Sequence, residues 1–117
     1  MNVNIKILAF KVIWMAKVIK DSKFNIEADS ILYEGNCLKL LSQIPDKFVK
    51  LVITSPPYNL GKQYENKLTT EEYLKQQTKV IKECVRILDD KGSICWQVGN
   101  YVNNGQIIPL DVLLYPI

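Results

Sequence analysis

From Ser30 onward the apolar residues of this chain fall into two patterns: short, nearly continuous runs, and longer stretches in which they recur every three or four residues. The first run, "ILY" at 31–33, closes on Glu34-Gly35-Asn36, a turn composition, and predicts a short strand. Leu38, Leu41 and Ile44 then recur at helical spacing until Pro45-Asp46 ends the pattern. "FVKLVIT" (48–54) is rich in β-branched residues and almost unbroken in apolar character, as expected of a strand buried on both faces of a parallel sheet. Strand, helix, strand predicts a βαβ unit with a right-handed crossover.

The second helix is announced by Thr69 and Glu72, which have capping-box spacing, and its buried face is expected to carry Tyr73, Val80, Ile81, Cys84 and Leu88. Asp89-Asp90-Lys91-Gly92 predicts its end, with Gly92 as a left-handed cap, and "SICWQVG" (93–99) a third buried strand. A last helix is expected to open at Pro109 in "IIPLDVLLYPI". The expected architecture is α/β, with residues 31–99 forming a parallel three-strand core under helices. No internal repeat or low-complexity linker interrupts it.

The opening "MNVNIKILAFKVIWMAKVIK" is apolar and basic, but Lys6, Lys11 and Lys17 leave no apolar span near the length of a membrane helix, and no small-residue cleavage site follows. An amphipathic helix or a strand is the simpler expectation. Residues 1–29 are read as an N-terminal extension; if Met15 is the natural start, residues 1–14 have no folded role.

Composition narrows the chemistry. The chain has 117 residues, 48% of them hydrophobic and 23% charged, which suits one small globular domain. A net charge of +3 is too small to argue for a polyanionic partner by itself. Cys37, Cys84 and Cys95 are odd in number and lack CxxC spacing, which favours a reduced, cytoplasmic setting over a disulfide framework. There is no histidine, so Ser-His and Cys-His nucleophilic arrangements and histidine-containing metal sites are excluded, and no metal is expected.

The candidate chemistry lies in "ITSPPYNLG", residues 53–61, at the end of the second predicted strand. In open α/β sheets ligands bind beyond the carboxyl ends of the strands. Proline fixes its own φ and restricts the residue before it, so Ser55 and Pro56 are held extended in a stiff corner. Neither Pro56 nor Pro57 donates a backbone hydrogen, which leaves carbonyls and the Ser55 hydroxyl as acceptors beside the flat face of Tyr58. Such a corner suits a planar ligand with an exocyclic NH2 group, for example a nucleobase taken out of its stack. The simpler reading is a proline-rich turn that merely ends a strand.

The stretch "ILYEGNCLKLLSQIPDKFVKLVITSPPYNLGKQY" resembles the amino-methylating DNA methyltransferases, whose S/D/N-P-P-Y/F motif is preceded by a strand ending in Gly-Asp and a short helix. The resemblance spans about residues 31–100 and implies a partial Rossmann-like, S-adenosyl-L-methionine-dependent methyltransferase fold with a mainly parallel sheet. It implies double-stranded DNA with a flipped target base as partner, no membrane, and a place in a restriction-modification system. A leading Thr before "SPPY" is more typical of cytosine-N4 than of adenine-N6 enzymes. Carried over, the resemblance has Ser55 and the Pro56 carbonyl accept hydrogen bonds from the target amine, Pro57 shape the turn and Tyr58 stack on the base. Holding the amine's hydrogens out of plane frees a lone pair for the sulfonium methyl without a covalent intermediate, so orientation and preorganisation are the expected catalytic terms.

The same resemblance implies cofactor contact at Gly35, Asn36 and Cys37, with Asn36 standing where the family usually has Asp. An asparagine capping the following helix is the alternative, and Gly35 reads as a turn glycine. Trp96 is expected in the core. Gly61, Lys62 and Tyr64 are expected in a solvated loop, with phosphate or base contact as the alternative. The five glycines are nowhere spaced as the GxG that the family uses for the methionine part of its cofactor. Residues 30–117 therefore read as the N-terminal part of a catalytic domain, lacking its C-terminal part and inactive alone. The competing class is a truncated or inactive remnant that only binds nucleotide or DNA.

Overall fold

The computed structural model describes residues 18–20, 23–28, 30–59, 68–103 and 105–117. The readings placed on residues 1–14 and on Gly61, Lys62 and Tyr64 lie outside these residues.

The element order is β1 (Val18–Lys20), β2 (Ser30–Leu32), α1 (Cys37–Leu41), β3 (Val49–Thr54), α2 (Thr70–Ile87), β4 (Leu88–Trp96), β5 (Asn100–Asn103), β6 (Gln106–Pro109) and α3 (Leu110–Leu114). The class is mixed α/β, as expected, but the single three-strand core is not what forms. The described strands make three two-stranded pairs: β1 with β2 and β3 with β4, both parallel, and the antiparallel β5–β6 hairpin. Strand β2 pairs with Val18–Lys20, which lies inside the stretch read as an extension. The hairpin was not expected: of its strands, only Ile107 to Pro109 fall in the stretch that carried a reading, that of the last helix. The hairpin's Asn-Gly pair between apolar runs is a hairpin signal.

The crossover between β3 and β4 is α2, and Thr69 and Glu72 begin it with the reciprocal hydrogen bonds that their spacing predicts. Its buried residues Tyr73, Gln77, Val80, Cys84 and Ile87 recur every three or four positions along one face. Gln77 is only 2% exposed, and a polar residue at a core position is invisible to a hydrophobic pattern. Val80, Cys84 and Ile87 meet Cys37, Leu41, Ile44 and Val52 in the main core, with Leu88 and Trp96 against its edge, which agrees with the core placement of Trp96. From α2, Arg86 reaches across to donate to the carbonyl oxygens of Leu41 at 2.7 Å and Ile44 at 3.0 Å, closing the end of α1.

Three local expectations are overturned, one of them the burial of 93–99, where Ser93, Ile94 and Cys95 are exposed. Gly92 is not a left-handed cap: Leu88 is already extended, at φ −74° and ψ 130°, and β4 starts there in register with Val49. A Cβ at Gly92 would lie 2.8 Å from the Leu88 side chain, so the glycine serves a close approach instead. Nor is β3 buried on both faces. Val52 and Thr54 point into the core, whereas Leu51 is 47% and Ile53 64% exposed. Side chains alternate along a strand, and among the described residues the helices cover only one side of the β3–β4 pair.

Candidate active site

The corner forms where the carboxyl ends of β3 and β4 leave the sheet together. The Gln97 amide donates to the Thr54 carbonyl at 2.9 Å, extending the parallel pairing one step beyond β4 and bringing Val98 and Gly99 beside the exit of β3. Thr54 and Pro56 are buried, Pro57 and Tyr58 half-buried, and Ser55 is exposed. Ser55 Oγ and the Tyr58 hydroxyl lie 3.0 Å apart, within hydrogen-bonding distance, so the two side chains close over the prolines.

Tyr58 is held on several sides. Its ring packs on the cluster of Tyr73, Tyr101 and Leu110, which brings together α2, the β5–β6 hairpin and α3. A Cβ at Gly99 would lie 2.9 Å from the ring, so only glycine leaves the space that the tyrosine occupies. The next residue, Asn59, is 4% exposed and has φ 60°, a conformation that asparagine tolerates better than most residues. Its amide NH2 donates to the Leu68 carbonyl and its oxygen accepts from the Leu68 amide, both at 2.8 Å. Sequence reasoning missed Asn59 and Gly99. The signals available were an asparagine just after a rigid corner and a glycine just after a strand.

The three residues assigned to cofactor contact sit elsewhere. Asn36 caps α1, its side-chain oxygen accepting from the Leu38 amide at 3.0 Å, so the capping alternative is realised. Gly35 has φ 153° and lies so close to Tyr33 that a Cβ would meet the phenol at 2.9 Å. The Cys37 side chain is buried in the main core with Val52 and Cys84; burial pushes its thiol above the ordinary range and pushes Cys84 up to about 11.

An apolar concavity of about 310 Å³ lies between α2, β4 and α3, lined by Ile81, Ile94, Trp96 and Leu114 among others; it shares Val98 with the corner but none of Ser55 to Asn59. Among the described residues, no helix is long and apolar enough to cross a membrane, and no cluster of three or more His, Cys, Asp or Glu side chains could hold a metal ion.

The Ser-Pro-Pro-Tyr corner stands at the carboxyl end of a parallel strand, the side on which open α/β sheets bind their ligands. Residues 49–114 match the DNA methylase family that groups N6 and N4 enzymes, and the chain belongs to that family. It is 51% identical over 87 residues to the type II methyltransferase M.BglII of Bacillus subtilis, a match covering 74% of this chain and 24% of that protein. It is 37% identical over 91 residues to the type II methyltransferase M.ScaI of Streptomyces caespitosus, covering 75% and 30%. To the DNA adenine methyltransferase YhdJ of Escherichia coli K12 it is 33% identical over 93 residues, covering 77% and 31%. The matches thus span about a quarter to a third of these relatives' length.

Proposed function

We propose that this chain carries the base-binding corner of a DNA methyltransferase that methylates an exocyclic amino group, cytosine N4 in preference to adenine N6, within a restriction-modification system. The observation that carries the reading is the corner itself: the hydroxyl oxygens of a serine and a tyrosine 3.0 Å apart, on a turn with two residues that have no backbone N–H to donate. Ser55 and the Pro56 carbonyl accept from the amine, and Pro57 keeps the turn stiff. Tyr58, half-buried, would meet the base with the part of its ring that its packing leaves accessible. Ser55 acts as acceptor and positioner rather than as base, and the spare proton leaves to water. Type II methyltransferases among the relatives support the restriction-modification setting. The leading Thr54 supports cytosine, against the adenine specificity in the name of one relative.

S-adenosylmethionine is the methyl donor in this reading. The chain's fit to it is partial: of the three residues carried over, the Asn36 oxygen is engaged by the helix cap and the Cys37 side chain by the core, so contact there would fall to the Asn36 NH2 and the turn at Gly35. When bound, the cofactor would supply an electrophilic methyl group. The chain's own part is to bind and orient the amine. The lack of any GxG among its glycines favours a second reading, a nucleotide-binding module without transfer.

Two measurements separate these. The first is calorimetric titration of the chain with S-adenosylmethionine and with single-stranded oligonucleotides. The second follows tritiated methyl transfer by a chimaera in which this chain replaces the matched segment of M.BglII, with nucleoside chromatography of the product DNA. N4-methylcytosine supports the proposal, N6-methyladenine moves the target base, and oligonucleotide binding without transfer in an otherwise folded chimaera favours the module.

A further inference from the structure

We infer that Asn59 is the positioning residue for Tyr58, the side chain that holds the aromatic platform at its fixed angle. The inference rests on the reading of Tyr58 as a base platform for its functional meaning, but not for its physical content.

The requirement at position 59 is unusually narrow. The backbone there has φ 60°, which favours Gly, Asn or Asp over other residues. The side chain must also donate to one backbone group and accept from another, both on Leu68 and both at 2.8 Å. Glycine meets the first condition only. Aspartate meets the first and can accept, but when ionised it cannot donate and sets a negative charge against the Leu68 carbonyl. Asparagine alone meets all of them at this length, and the two bonds together fix which end of its amide faces which group.

The anchor at the other end is rigid. Leu68 immediately precedes Thr69, the cap of the 18-residue helix α2, and Tyr73, one turn into that helix, belongs to the cluster on which the Tyr58 ring rests. Asn59 therefore ties the backbone next to Tyr58 to the helix against which its ring packs. Gly99 closes one side of the ring, and Ser55 holds its hydroxyl. Without the amide clip, the corner would still exist, but its exit would no longer be fixed relative to α2, and the ring would lose one of its constraints. Burying an unpaired Leu68 amide and carbonyl would add to the drive to rearrange.

The test uses the whole chain labelled with 3-fluorotyrosine and read by fluorine NMR, with the Tyr58→Phe variant identifying the Tyr58 signal among the six tyrosines. In Asn59→Gly the Tyr58 signal is expected to move toward the position of free fluorotyrosine and sharpen, while those of Tyr33 and Tyr115, outside the cluster, stay in place. In Asn59→Asp the same displacement is expected at neutral pH and should reverse as the introduced carboxyl is protonated, since the protonated acid again has one donor and one acceptor. An unmoved Tyr58 signal in Asn59→Gly would overturn the inference. So would displacement of all tyrosine signals together, which would make Asn59 a support of the whole fold. Neither readout requires nucleic acid or cofactor, so failure of the methyltransferase reading leaves this result intact.

Discussion

The hydroxyl oxygens of Ser55 and Tyr58 lie 3.0 Å apart across the two intervening prolines, so the proposed acceptor and the proposed stacking face are one mechanical unit. Tyr58→Ala removes the face and the bond together. Base stacking on an aromatic is worth about 1–3 kcal/mol, so single-turnover methylation by the M.BglII chimaera is expected to fall by about one to two orders of magnitude. Tyr58→Phe keeps the face and loses only the hydrogen bond, about 0.5–1.5 kcal/mol, and should cost roughly tenfold or less. Equal activity of Tyr58→Ala and parent would return the tyrosine to a purely structural role.

Arg86 should matter for stability out of proportion to its position on the surface of α2. It donates to the Leu41 and Ile44 carbonyls and pairs with Glu83 and Asp46. Arg86→Ala leaves those carbonyls and carboxylates without their donor and is expected to cost about 1–3 kcal/mol in urea unfolding. Arg86→Lys should recover only part of this, because an ammonium on a single stem cannot serve both carbonyls in the guanidinium's fork geometry.

The cap of α2 predicts an acid-sensitive helix start. Hydrogen bonds from the Thr69 side chain and then its backbone hold the Glu72 carboxyl below its ordinary value of 4.5. A depressed carboxyl contributes stability that is fully present above its unfolded value and is lost as pH falls through the folded one. Helix content followed by circular dichroism should therefore decline as pH drops below about 4.5. Glu72→Gln should be flatter across that range, and an unchanged acid slope in that variant would remove Glu72 from the account.

On the open side of β3, Ile53 is 64% exposed. Ile53→Thr keeps a β-branched residue while removing exposed apolar surface, so thermal stability should change by no more than about 0.5 kcal/mol. Light scattering should show less self-association. A large loss of stability would mean that this side chain is covered in solution.

The thiols should divide sharply. Cys95 is exposed, whereas Cys37 and Cys84 are buried and held protonated by their surroundings. In the folded chain Cys95 should be alkylated first, with Cys37 and Cys84 protected until denaturant is added. Rapid alkylation of Cys84 in the folded chain would contradict the core placement.

What could be read directly from the residues is what depends on neighbours in the chain. The capping box at Thr69 and Glu72, the helical period from Tyr73 to Cys84 and the β-branched run before Ser55 are local properties, and each appears where it was expected. Asn36 illustrates the same point, since its cap is made to a residue two positions away. The family resemblance, too, was carried by a contiguous motif.

Tertiary structure decided everything that depends on which segments meet. Strand pairing is non-local, so a three-residue β2 could find its partner in Val18–Lys20 instead of joining β3, and no pattern within either segment specifies that choice. Hydrophobic content does not say which face of β3 is covered; the placement of α1 and α2 does, and it leaves Leu51 and Ile53 outside. At the corner, the motif supplied Ser55 through Tyr58, but the orientation of the tyrosine comes from Gly99, Leu68 and Tyr73. These residues are distant in the chain, and only the return of β4 beside β3 and the start of α2 bring them within bonding and van der Waals reach.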